Sequence, residues 1–186
     1  MRFVLFMALI LLAGCTSHEA EPAPTPSASS TSALPEAEGP AGNLASAGKD
    51  ADWDTFVLPC EDKTKEPTIQ QVVTADITGD GIADALVVRA CDNSTVEVFD
   101  GSSPARRPWR IDQPLLSSPT AELRRPWVTG LEVASREIII KANGHAIDDH
   151  GTCRKDRLTF AFTLVGTDFT QLRLENDPAG KCLPAG

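Results

Sequence analysis

Tyrosine is absent from this 186-residue chain, and histidine occurs only three times, one of them in the first 20 residues. Few side chains are therefore suited to general acid–base work near neutral pH. No G-x-S-x-G, H-E-x-x-H or P-loop pattern is present either. No catalytic constellation emerges, and the chain reads as a non-enzyme. Basic residues are in deficit, with 17 Lys and Arg against 26 Asp and Glu, a net charge of −9. So acidic a chain argues against nucleic acid as a partner, since phosphate binding wants a positive face. It suits solubility and association with cations. Long apolar runs are missing too. The longest, Phe3 to Leu12, is too short to span a membrane as a mature helix.

What that run does have is a setting. Arg2 precedes it and Leu12-Ala13-Gly14-Cys15 follows it. Positive n-region, apolar h-region and small residues before a cysteine form a signal peptide over residues 1–14. The Leu-Ala-Gly-Cys stretch resembles the lipobox of bacterial lipoproteins. That resemblance implies cleavage before Cys15, acylation of Cys15 and a palmitate-type lipid anchor in the cell membrane, with the body on the extracytoplasmic side. An ordinary secretory signal with a chance cysteine is the alternative; small residues directly before the cysteine favour lipidation. Loss of Arg2 with the signal would move the net charge to −10. Residues 15–50 are Ala, Pro, Ser, Thr and Gly with few large apolar side chains, and are expected to form a disordered tether. As a flexible coil it would reach about 30–35 Å.

Residues 51–186 remain as one domain's worth of chain. Four cysteines lie in it: Cys60, Cys91, Cys153 and Cys182. An even count in an exported chain points to disulfides. Three pairings are open; Cys60–Cys91 with Cys153–Cys182 is favoured because each pair brackets a contiguous strand segment. A four-cysteine zinc site lacks the close C-x₂₋₄-C spacing it needs. In RLTFAFTLV (157–165), Leu158, Phe160, Phe162 and Leu164 alternate with Thr159, Ala161 and Thr163, the period of a half-buried strand. Similar stretches are 69–77, 84–91, 94–101, 127–134, 136–142 and 168–175. Asp100-Gly101, Asn143-Gly144 and Gly166-Thr167-Asp168 read as turns between them. A short helix is expected around Ala51 to Val57. The fold class is all-β, antiparallel: a meander, sandwich or partial barrel.

One loop stands out. In Asp76-Ile77-Thr78-Gly79-Asp80-Gly81-Ile82-Ala83-Asp84, oxygen-bearing side chains fall at relative positions 1, 3, 5 and 9. Ile82 at position 7 would offer its carbonyl, and Gly81 permits a sharp turn. That is the spacing logic of an EF-hand calcium loop, although strands flank it and Val87 stands where a glutamate would close the cage. The loop resembles the D-x-[DN]-G-D-G-x-x-D motif of FG-GAP and VCBS-type repeats. The resemblance implies a structural calcium ion held by Asp76, Asp80, Asp84 and the Ile82 carbonyl, with Thr78 replacing a stronger ligand. Only one copy is present, so the resemblance covers a motif and not a propeller. Gly-Asp-Gly is also good turn chemistry without any ion, and capping aspartates are the alternative. In plan, the chain is similar to LppP/LprE-type actinobacterial lipoproteins: LAGC, a Pro/Ala/Ser tether, TADITGDGIADALVV, and Cys153 before RLTFAFTLV. This implies location and architecture, not mechanism.

Two further constellations are candidates for a ligand. RRPW occurs twice, as Arg106, Arg107 and Trp109, and again as Arg124, Arg125 and Trp127. Together they would form a basic-aromatic patch able to stack a sugar or grip an anionic partner; the plainer alternative is two core tryptophans with arginines at strand ends. His145, Asp148, Asp149 and His150 cluster in a Gly-flanked stretch, but at no known zinc spacing, and read as a solvated connection. The expectation is a membrane-anchored binding module whose partner is an envelope protein or glycan. The alternative is a metal-dependent cell-envelope hydrolase using Asp76, Asp80 and Asp84.

Overall fold

The computed structural model describes residues 42–117, 123–146 and 153–184, with Leu123, Arg124 and Ala146 described by their backbone alone. The signal peptide, Cys15, most of the tether, and Asp148, Asp149 and His150 lie outside the described residues. Eight strands run in chain order: β1 (Thr68–Ala75), β2 (Asp84–Ala90), β3 (Ser94–Phe99), β4 (Arg110–Leu115), β5 (Leu123–Ala134), β6 (Glu137–Ala146), β7 (Arg154–Val165) and β8 (Asp168–Leu183). They form two four-stranded antiparallel meanders, β1-β2-β3-β4 and β5-β6-β7-β8. Two short helices, α1 (Leu44–Ala47) and α2 (Trp53–Phe56), precede them. Among the described residues no helix is long and apolar enough to cross a membrane.

The sheets pack face to face because each turns one apolar stripe inward. Leu86 and Val88 of β2 and Val96 and Val98 of β3 meet Leu131, Ile138, Ile140, Phe160 and Phe162 from the second sheet in one core. The alternation read in β7 holds: Leu158, Phe160 and Phe162 are buried there, and Leu164 packs at its margin. Both disulfides are formed in the favoured pairing, Cys60–Cys91 and Cys153–Cys182.

Four features differ from what the sequence led us to expect. First, the tether does not run to residue 50. Asn43 caps α1 by accepting the Ser46 amide (3.1 Å), and Leu44 is buried with Trp53, Val57, Ala85, Val87 and Phe99 in a second core. One aliphatic side chain in a stretch of small residues was enough to dock it. Second, that cover buries the outer face of sheet one, so all six residues of β3 are buried. Period two hides in a strand covered on both faces. Third, Asn143-Gly144 is no turn: Asn143 pairs with Arg157 and Gly144 with Asp156 inside β6. Fourth, β4 has no apolar rhythm, and Asp112 within it takes a left-handed φ of 56°.

Glu97 is the polar centre of the second core. It is fully buried, beside Val87 in the β2–β3 register. Arg110 approaches its carboxylate at 2.7 Å and Arg89 at 3.2 Å, and the Leu58 amide donates to it (3.0 Å). Arg89 in turn donates to the Leu58 and Pro59 carbonyls, and Arg110 to the Phe56 carbonyl. The two guanidinium groups thus bolt the segment before Cys60 to the sheet.

Candidate functional site

The aspartate loop joins β1 to β2, and each carboxylate in it accepts backbone amides. Asp84 is fully buried. Its Oδ2 takes the Ile77 and Thr78 amides at 2.8 and 2.9 Å, and its Oδ1 the Gly101 amide at 2.9 Å. Asp76 takes the Gly79 and Gly81 amides, and Asp80 the Ile82 amide. Gly79 and Gly81 supply the positive φ, 81° and 84°. The guanidinium of Arg136, from the β5–β6 turn, lies against Gly79, where a Cβ would meet its Nη1 at 2.1 Å. Gly101 is forced as well: a Cβ there would fall 2.0 Å from the Ala83 carbonyl oxygen.

This arrangement is a poor fit to a calcium cage. Among the described residues no three His, Cys, Asp or Glu side chains gather as a metal ligand set. The repulsion expected among three carboxylates is answered by six amide donors. Asp84 faces inward, so the trio forms no open cleft of the kind a hydrolytic metal needs. The Thr78 hydroxyl is buried without a partner, but Thr78 alone makes no cage.

The two RRPW motifs part company. Trp109 lies 58% exposed beside the β3–β4 turn, where its carbonyl accepts the Asp100 amide. Trp127, on β5 of the second sheet, lines a cavity with Ala90 and Cys91 at the other end of the first. Arg106 and Arg107 stay with Trp109, so there is no common patch. Around Trp127, however, other residues gather. β5 bulges between Arg124 and Trp127, with Arg125 at a φ of 51°. Pro126, which cannot donate to a ladder, falls in that bulge. The bulge turns the Arg125 carbonyl toward Arg154 Nε, which donates to it at 3.0 Å. The Arg154 guanidinium lies 5.4 Å from the Trp127 ring centroid, and its Nη2 reaches the Asp92 carbonyl at 3.4 Å.

Asp92, Arg125, His145 and Arg154 line a cavity of about 270 Å³ among the described residues. His145 is 3% exposed and its Nδ1 has no hydrogen-bond partner. The Asp92 carboxylate pairs with Lys65 Nζ at 2.5 Å, which commits its charge outside the pair of arginines. Burial, and then the neighbouring Arg125 charge, push the Arg154 pKa down from the usual arginine range. The site is stapled twice, since Asp92 follows Cys91 and Arg154 follows Cys153. His145, expected in a solvated connection, instead lies buried in β6. The sequence pattern points to Arg125 and Trp127 but not to Asp92 and Arg154. Their signal was position: each directly follows a bridged cysteine, and a polar residue so placed is held on a rigid point. Arg124 pairs with His145 through the backbone. Compared with family models, curated proteins and solved structures, the chain matches none.

Proposed function

We propose that the chain is a lipid-anchored extracytoplasmic protein whose β-sandwich works as a binding module. Its binding end is the cluster of Arg125, Trp127, His145 and Arg154. The observation that carries this reading is the charge contrast: two arginines and an imidazole around one hollow, on a chain of net charge −9. Cations concentrated in one concave place on an acidic surface select and orient a partner more than they stabilise the fold. Anchoring rests on Leu12-Ala13-Gly14-Cys15 and the small-residue stretch after it. The aspartate loop enters as a rigid corner, since its carboxylates serve backbone amides.

Fractionation tests the anchor. The full chain is expected in the membrane fraction, extractable by detergent, and a Cys15→Ser variant is expected to lose its acylation. An unacylated wild-type Cys15 would sink this part. Pelleting tests the binding: detergent-extracted protein should sediment with isolated cell-envelope material, and Arg125→Gln should weaken this. Equal pelleting of the variant would move the binding end elsewhere.

A further inference from the structure

The stapled end of the sandwich has a geometry that identifies a ligand class. Building on its role as the binding end of the module, we propose that the Arg125–His145–Arg154 hollow is an oxyanion site. It takes the carboxylate or phosphate group of an acidic sugar, with the sugar ring lodged against Trp127.

Three observations on different elements converge here. Two guanidinium groups line one cavity of about 270 Å³, and the carboxylate beside them, Asp92, is paired with Lys65 instead. Arg154 uses Nε and Nη2 on the Arg125 and Asp92 carbonyls, which fix its plane and leave its positive charge unneutralised by them. Its depressed pKa comes from burial and from Arg125, and an anion between the two arginines would counter that shift by favouring the charged form. The third observation is His145. A buried polar nitrogen without a partner is costly, and the residue that carries it is one of the four lining the cavity. The imidazole offers Nδ1–H as a donor in one neutral tautomer and in the cationic ring. Two arginines and an imidazole around a small hollow match the oxygens of a carboxylate or phosphate, where forked donors are strongest.

The neighbouring cavity explains the sugar. It measures about 520 Å³, and Trp127, Lys65, Glu66, Thr68 and Gln70 are among its walls. The aromatic ring is a wall for apolar C–H faces, and Thr68, Gln70 and Glu66 offer hydroxyl-matching groups around it. The Lys65–Asp92 pair lies between the two hollows, since Lys65 lines one and Asp92 the other. Both bridges fix the backbone beside the charged groups, so the site is assembled before the ligand arrives.

The test uses the full chain in detergent at constant ionic strength, titrated with acetate, inorganic phosphate, glucuronate, glucose 1-phosphate and glucose. Readouts are the melting temperature and the His145 ring resonances. We expect a saturable rise in melting temperature and a His145 shift with the acidic sugars, a weaker response to the matching simple anion, and none with glucose. Preference for glucuronate over glucose 1-phosphate, or the reverse, names the oxyanion. Arg125→Gln, at an exposed position, should weaken binding about tenfold or more while leaving the ligand-free melting temperature in place. Trp127→Leu should erase the advantage of the sugar over the simple anion. Absence of any saturable response, or an undiminished response in Arg125→Gln, overturns the proposal. Envelope pelleting tells the oxyanion site from the binding module. Pelleting that acidic sugars fail to displace sinks the oxyanion site and keeps the module. A saturable sugar response without pelleting does the opposite.

Discussion

At the scale of single residues, stability hangs on two buried carboxylates. Glu97 faces two guanidinium groups and a backbone amide with no water to replace them. Glu97→Gln leaves both arginines short of a counter-charge, and breaking such a pair costs about 3–5 kcal/mol. The melting temperature should fall by on the order of 10 °C for a body of this size, measured by calorimetry. Unchanged melting would mean that the arginines find solvent on their own. Asp84 is the second. Asp84→Asn turns one acceptor oxygen into an NH₂ facing a backbone N–H, with a loss of about 1–3 kcal/mol per group left unpaired. With the carboxylates of the loop satisfied by amides, 2 mM calcium and chelator should give the same melting curve. A calcium-dependent rise that Asp80→Ala abolishes would restore the ion to this loop.

At the scale of elements, the cover formed by α1, α2 and the segment to Cys60 decides much of what could be read in advance. The strands of the second sheet were legible because one face is wet: Lys141 and Thr159 pair across it while Ile140 and Phe160 point in. β3 was legible as a strand but not as a buried one, because Glu97 looks solvent-facing until its arginine partners, eight residues upstream and thirteen downstream, are placed. β4 has Pro114 and a left-handed Asp112 instead of a pattern, so nothing local announces it. Of the site, the aromatic and basic residues of β5 were visible; Arg154 and Asp92 were not, because cross-sheet proximity has no local signature. The cover also yields a prediction. Cys60→Ser with Cys91→Ser removes a bridge closing a loop of sequence separation 31, worth about 4 kcal/mol. Limited proteolysis should then cut first between residues 42 and 67, leaving both sheets intact. Cleavage that starts in β8 instead would show that the cover does not depend on the bridge.

At the scale of the whole molecule, charge and chain order act together. A net charge of −9 disfavours anionic surfaces, so under the proposed function a tether and a local cationic hollow would do different jobs: one would set distance, the other select what is held there. The way the tether enters the fold has a mechanical consequence. Among the described residues, a pull from the N-terminal side meets Gly42, Leu44 and Ala45: the Gly42 carbonyl accepts the Ala105 amide, and the Leu44 and Ala45 amides are held by the Ser103 and Gly101 carbonyls. Once these bonds give way, the cover can open from its N-terminal side. Residues 42–59 can then run out about 60 Å of slack. The opening halts at Cys60, where the bridge hands the load to Cys91 at the end of β2, in the middle of the sheet. The cover is thus a length of rope with a covalent stop, and Asp92, the residue beside that stop, is one wall of the Arg125–Arg154 hollow, so under the proposed anchoring a pull on the chain would be delivered next door to the proposed binding site.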